Sequence, residues 1–331
     1  MDAVIDAAGL TKYYGKQPGI IDLDLEVAEG EVFGFLGPNG AGKTTTIRLL
    51  LDLLRPTRGG ARVLGLDTRR DGVELRRRVG YVPGELALYG RLTGEENLRY
   101  FAALRGGVDW DWVRELAERF GADLSRRVGS LSTGNKRKVA LLQAFMHRPA
   151  VLILDEPTSG LDPLMQHEFY ALLNESREAG QTVLLSSHLL PEVEEVCGRA
   201  AFVREGRLIA VERMGAIGER AVHEVEVEFG GPAPGGAEPA PGLAPEFAAL
   251  PGVSDVAASG RRLRFKVSGR FDPVVKHLAR YEVVSLKSTE PDLEDVFMTY
   301  YAAAADARAD TAPAAPPGPP VSSSEEGSDA E

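Results

Sequence analysis

A single cysteine stands among the 331 residues, so Cys197 has no intrachain disulfide partner. That usage suits a reducing compartment, with Cys197 expected as a small buried apolar residue. Long apolar runs are missing too: no stretch approaches the roughly 18 to 20 residues that span a bilayer. The N-terminus, MDAVIDAAGLTKYYG, lacks the basic segment and apolar core of a signal peptide. The chain is therefore expected to be soluble unless a partner holds it at a membrane. An excess of positive charge is also absent. The formal net charge is −11, and the stretch from Asp306 onward supplies −5 of it. This balance speaks against non-specific nucleic-acid binding, which neutralises phosphates with Lys and Arg. The one basic cluster, RRDGVELRRR (69–78), reads as a solvated helix face.

What the chain does contain is organised. Residues 1 to about 215 alternate strands and helices over short connections, the pattern of an α/β domain. Strands are predicted at 31–36, 151–154, 182–186 and 200–204. The stretch 86–147 reads as mostly helical, and RLTGEENLRYFAAL begins with Thr93 and Glu96 at capping-box spacing. GGPAPGGAEPAPGLAP (230–245) is too rich in Gly and Pro for regular structure. Around it the pattern predicts a strand at 222–229, a short helix near 245–250 and two strands to 267. A helix at 271–280 and a strand to 287 complete a β-α-β-β-α-β, ferredoxin-like α+β order. PDLEDVFMTYY then places Leu293, Val296, Phe297 and Tyr300 on one helix face. From 303 onward the Pro/Ala/Ser-rich acidic tail cannot bury enough apolar surface to fold. The expected division is 1–218, 219–302 and a disordered 303–331.

The chemistry begins at GPNGAGKTTT (37–46). Gly37, Gly42, Lys43 and Thr44 have phosphate-loop spacing, with the apolar strand EVFGFL before them and a helical apolar pattern after. Backbone N–H groups around Gly40 to Thr44 converge only where side chains do not obstruct them, and the following helix adds its positive dipole end. Lys43 supplies a point charge to the β and γ phosphates, and the Thr44 hydroxyl is placed to ligate Mg²⁺. VLILDEPTSGLDP (151–163) lifts Asp155 and Glu156 to the end of a buried strand, where ligand crevices open in α/β sheets. Asp155 is assigned to Mg²⁺, and Glu156 to accepting a proton from water that attacks the γ-phosphate. His188 follows another apolar strand, 32 residues beyond Glu156.

At LSTGNKRKVALLQAF (131–145) the set becomes specific. This stretch resembles the signature segment of ATP-binding cassette (ABC) ATPases, with Ser132 and Gly134 matching and Thr133 and Asn135 departing. The resemblance implies a P-loop fold with a helical subdomain at about 86–147, and ATP with Mg²⁺ as ligands. Gly37, Asn39, Gly40, Ala41, Gly42, Lys43, Thr44 and Thr45 then resemble Walker A, and Val151 to Glu156 resemble Walker B. Ser159, Gly160, Leu161 and Asp162 resemble the D-loop, His188 the switch histidine that contacts the γ-phosphate, and Tyr14, beside Tyr13, the adenine-stacking aromatic. Ser132 and Gly134 are implied to close over the ATP of a second subunit, giving a head-to-tail dimer with two sandwiched ATPs.

One departure bears on catalysis. Where the family has a glutamine after YVP, this chain has Gly84, followed by Glu85. Either Glu85 substitutes through a one-residue shift, or hydrolysis is slower or differently coupled. The downstream region resembles the C-terminal extension of ATPases serving ABC-2 type exporters of the daunorubicin-resistance and nodulation-factor kind. The expectation is the nucleotide-binding subunit of an ABC exporter for drug-, antibiotic- or lipid-like compounds. It would sit at the cytoplasmic face of the cell membrane with a separate ABC-2 type permease. The alternatives are a soluble ABC ATPase acting on nucleic acid or translation, and an ATP-gated regulatory subunit with negligible turnover.

Overall fold

The computed structural model describes residues 3–215, 222–230 and 239–289. The chain opens with β1 (Ala3–Tyr14) and β2 (Gln17–Ala28), an antiparallel pair. Sequence reading named no strand here, although Leu23, Leu25 and Val27 alternate into the core. With β4 (Arg58–Val63) and β5 (Leu66–Asp67) they form a sheet in the order β2-β1-β4-β5.

A second sheet carries the site. β3 (Val32–Leu36), β6 (Val79–Val82), β7 (Val151–Asp155), β8 (Thr182–Ser187) and β9 (Arg199–Arg204) run parallel, and β10 (Arg207–Arg213) joins as an antiparallel edge. Their order is β10-β9-β3-β8-β7-β6. All four strands predicted at 31–36, 151–154, 182–186 and 200–204 lie in this sheet. VLIL is apolar throughout because both faces of β7 are covered. Val151 and Ile153 join a core with α1 (Lys43–Leu50) and the first sheet, while Leu152 and Leu154 join a core with the helices on the other side.

The region 86–147 holds α3 (Gly94–Leu104), α4 (Trp110–Arg119) and α5 (Thr133–Phe145). The capping box forms: Glu96 N donates to Thr93 Oγ1 at 3.1 Å, and Thr93 N to Glu96 Oε2 at 2.8 Å. Arg119 reaches from α4 to Glu168 and Glu175 on α6 (Pro163–Glu178), at 2.7 Å to each. The basic cluster forms α2 (Gly72–Arg78), where Arg77 and Arg78 pair with Glu74 and Arg76 turns back to donate to the Leu51 carbonyl. Cys197, after α7 (Leu190–Val196), is buried, and burial pushes its thiol pKa up.

The third sheet holds β11 (Val222–Phe229), β12 (Val253–Ser259), β13 (Arg262–Ser268) and β14 (Val283–Thr289), antiparallel in the order β12-β13-β11-β14. With α8 (Pro239–Ala248) and α9 (Asp272–Leu278) its elements run β-α-β-β-α-β. Helix α8 starts six residues before the expected 245, inside the stretch read as irregular. Its buried Ala240, Leu243 and Phe247 recur at helical spacing; Pro239 at its start sacrifices no intrahelical hydrogen bond, whereas Pro245, inside it, forfeits one. Residues 290–331, with PDLEDVFMTYY and the acidic tail, lie outside the described residues. Among the described residues no helix is long and apolar enough to cross a membrane.

Candidate active site

The phosphate loop fills the gap between the end of β3 and the start of α1. Gly42 has φ +110°, and a Cβ there would sit 2.5 Å from Ile20 Cδ1 and 2.8 Å from the Gly19 carbonyl. Only glycine fits both constraints. Ala41 is buried and its carbonyl accepts from Gly206 N at 3.0 Å, pinning the loop to the β9–β10 turn. The first N–H groups of α1 have no partner within the helix and add to its dipole, which makes an anion seat. Lys43, nearly buried, donates to the Gly37 carbonyl at 2.6 Å and lies 3.1 Å from Glu156 Oε1.

β7 and β8 end side by side against this loop. Asp155 is fully buried and accepts from Thr44 Oγ1 at 2.8 Å and from Ser186 Oγ at 2.6 Å. The next residue, Glu156, has φ +50°, a left-handed conformation that a β-strand does not continue. That turn brings its carboxylate back over the loop, where it meets Lys43 on one oxygen and His188 Nδ1 on the other, at 2.6 Å. The imidazole thus orients Glu156 from the side opposite the ammonium.

Around these groups opens a cleft of about 470 Å³, lined by Tyr14, Asn39, Gly40, Thr44, Thr45 and Glu156 among others. Tyr14, not Tyr13, faces it, with its hydroxyl 3.4 Å from Thr45 Oγ1. Three predicted residues stand elsewhere. Ser132 caps α5, accepting from Asn135 N at 3.3 Å. Gly134 packs against the next loop, since a Cβ there would lie 2.5 Å from the Gly160 carbonyl. Asp162 caps α6, accepting from Met165 N at 3.0 Å. Gly84 lines the cleft, whereas Glu85 is exposed and outside the lining.

Sequence reading missed three residues that the fold brings to the site. Ser186 holds Asp155, as above. Glu192, on α7, is buried and accepts from Thr158 Oγ1 at 2.5 Å and from Ser187 Oγ. Burial pushes its carboxyl pKa up, against those two hydroxyls, which favour the charged form. Arg137, on α5, is buried and lines the cleft. Only the run LSTGNKRK marked its neighbourhood, and nothing in that run marks which base turns inward.

Parallel sheet, glycine loop and paired carboxylates define a phosphate-loop nucleotide-binding protein. The ABC transporter family model matches residues 20–159. The chain is 41% identical over 214 residues to the probable multidrug ABC transporter ATP-binding protein YbhF of Escherichia coli, covering 63% of this chain and 37% of that one. It is 37% identical over 212 residues to the bacitracin transport ATP-binding protein BcrA of Bacillus licheniformis, covering 63% and 69%. Its match to a fluoroquinolones export ATP-binding protein of Mycobacterium tuberculosis is longer: 35% over 301 residues, 89% and 92%. A solved ATP-binding subunit of an ABC transporter shares 33% identity at TM-score 0.59, covering 65% and 91%. The chain belongs to the ABC transporter family of ATP-binding proteins. It spans little more than a third of the Escherichia coli relative.

Proposed function

We propose that this chain binds and hydrolyses ATP in the 470 Å³ cleft and couples that cycle to a separate membrane permease in export. The observation that carries the hydrolytic reading is the arrangement Lys43–Glu156–His188, with contacts of 3.1 and 2.6 Å. Lys43 and the α1 N-terminus hold the phosphates, and Tyr14 stacks on the base. Thr44 Oγ1 and Asp155 Oδ2 converge within 2.8 Å, and a hydroxyl with a carboxylate suits a hard cation. Among the described residues no cluster of three or more His, Cys, Asp or Glu could hold a metal. A magnesium site of this kind draws its other ligands from phosphate and water. Mg²⁺, when bound, neutralises charge on the β and γ phosphates.

Glu156 takes the proton from the attacking water. A γ-phosphate that competes for the Lys43 ammonium releases the carboxylate for that task, while His188 keeps it aimed. The expected signature is that Glu156→Gln retains ATP binding and loses about 10²–10⁴-fold in turnover. Turnover near the wild-type rate would remove Glu156 from the role of base.

The exposed Ser132 and the half-buried Gly134 lie off their own cleft at a helix N-terminus, which supports a dimer in which each copy completes the other's pocket. Tyr89 and Tyr100, exposed and in edge contact at 5.2 Å, with the exposed Leu104 on the same helix as Tyr100, offer an apolar surface to a permease at the cytoplasmic membrane face. The names of the relatives, multidrug, bacitracin and fluoroquinolone, support drug- or antibiotic-like cargo, and lipid-like cargo has no support among them. We read residues 1–218 as the cassette and 219–302 as a ferredoxin-like accessory domain without a ligand; the tail expected at 303–331 lies outside the described residues. The strand order and element alternation of the third sheet support the second assignment. The acidic charge supports a chain with no nucleic-acid partner. Gly84, with no side chain in the cleft, favours a second reading, an ATP-gated subunit of low turnover. A steady-state phosphate-release assay separates the two.

A further inference from the structure

Arg137 is a buried cation that makes no ion pair among the described residues. Its guanidinium spends its donors on backbone carbonyls: Nη1 on Pro83 at 2.9 Å, Nη2 on Gly84 at 3.0 Å and Nε on Ser159 at 3.3 Å. Those carbonyls belong to two loops, one leaving β6 and one leaving β7. Arg137 itself stands on a third element, α5, one helical turn beyond Gly134. The Gly84 turn lies close to the metal-site carboxylate, since a Cβ on Gly84 would be 3.2 Å from Asp155 Oδ2. Ser159 follows Glu156 by three residues, and its N–H returns to the Glu156 carbonyl at 3.3 Å. Asp155 and Glu156 are also the charges that favour the guanidinium against its burial.

A planar fork with five donors suits this task, and a lysine does not, because one ammonium cannot meet three divergent carbonyls in fixed geometry. Gly84 and Ser159 sit on turns outside the parallel ladder, where the sheet does not set backbone position. Position must come from a side chain that bridges them.

We infer that Arg137 is a positioning residue for hydrolysis: it clamps the Gly84 turn and the Ser159 loop around Asp155 and Glu156 and ties both to α5. This rests on the ATPase reading above. Arg137 acts through the loops and through the charge it adds to the cleft, so its loss should lower the chemical step more than ATP affinity, which the phosphate loop and Tyr14 provide.

The test compares wild type, Arg137→Met and Arg137→Lys in the full chain. Three quantities are read: ATP Kd by titration, kcat by phosphate release, and amide exchange of peptides covering 82–88 and 157–162. The expected result for Arg137→Met is a kcat at least about tenfold lower, a Kd within about threefold and faster exchange confined to those two peptides. Arg137→Lys should fall between, with exchange restored at one loop at most. Unchanged exchange in both peptides overturns the clamp, and so does a kcat loss matched by an equal loss of affinity. If Arg137→Met does not fold, the lysine variant decides by the same criteria. If wild type binds ATP without hydrolysing it, the ATPase reading fails, and the exchange comparison still decides whether Arg137 holds the two loops.

Discussion

The two regions of the described chain bury different things. Around the parallel sheet, polar groups go inside: Asp155, Ser186, Lys43, Arg137 and Glu192 are all buried, each with hydrogen-bond partners. In the third sheet the buried described residues are apolar, with Val225, Val227, Phe229, Phe247, Phe265 and Val267 at the centre. Its charges lie outside, as in the Arg264–Glu226 pair at 2.6 Å. Burying a polar group costs stability unless it is paired, so a region that does so repeatedly is arranged for chemistry as well as for folding. The third sheet shows an ordinary core and a solvated face.

That contrast can be broken first at the apolar end. Phe247 is fully buried and its ring lies 5.3 Å from Phe265 and 4.8 Å from His277. Phe247→Ala should destabilise the third sheet by about 3–5 kcal/mol, read by denaturant unfolding. ATP affinity should stay at the wild-type value if the two regions keep separate functions. A large affinity loss would show that they do not.

His147 sharpens the other side. Both ring nitrogens are buried, and burial, with the Arg105 charge behind it, lowers its pKa from 6.5 to about 4. Between those values the unfolded chain binds the proton and the folded chain does not. Stability is therefore complete above pH 6.5 and declines as pH falls toward 4. His147→Leu should flatten that decline, by on the order of 2 kcal/mol at its acid end, in melts from pH 7 to 4. A parallel acid profile in the variant would place the loss in other groups.

Smaller effects follow. Thr93→Ala removes the α3 cap and should lower stability by about 1 kcal/mol, measured by urea unfolding. Glu226→Gln breaks a surface pair and should shift stability only slightly, with the shift vanishing at high salt. An effect of Glu226→Gln as large as that of Phe247→Ala would mean that the charged face is not merely solvated.

Local pattern carried much of this molecule. GPNGAGKTTT was legible because loop spacing, strand and helix lie within twenty residues, and Asp155–Glu156 because a short apolar run ended in two acids. The third sheet was legible in element order through alternation such as that in HEVEVEF. Helix α8 was masked by proline, whose cost depends on its place within the helix. The exposure of Glu85 was also hidden, because the path of a turn depends on what packs against it.

The chain's own order of residues determined the phosphate loop, the paired carboxylates and the alternation of strands and helices, since each depends on neighbours a few positions apart. Only the tertiary structure decided that Arg137 meets Gly84 and Ser159, that Glu192 joins Thr158 to Ser187, and that Tyr14 rather than Tyr13 faces the cleft. Those contacts join segments up to 53 residues apart, as between Arg137 and Gly84. Spacing along the chain holds no record of them, because distance in space is set by packing and by the demand that buried polar groups find partners.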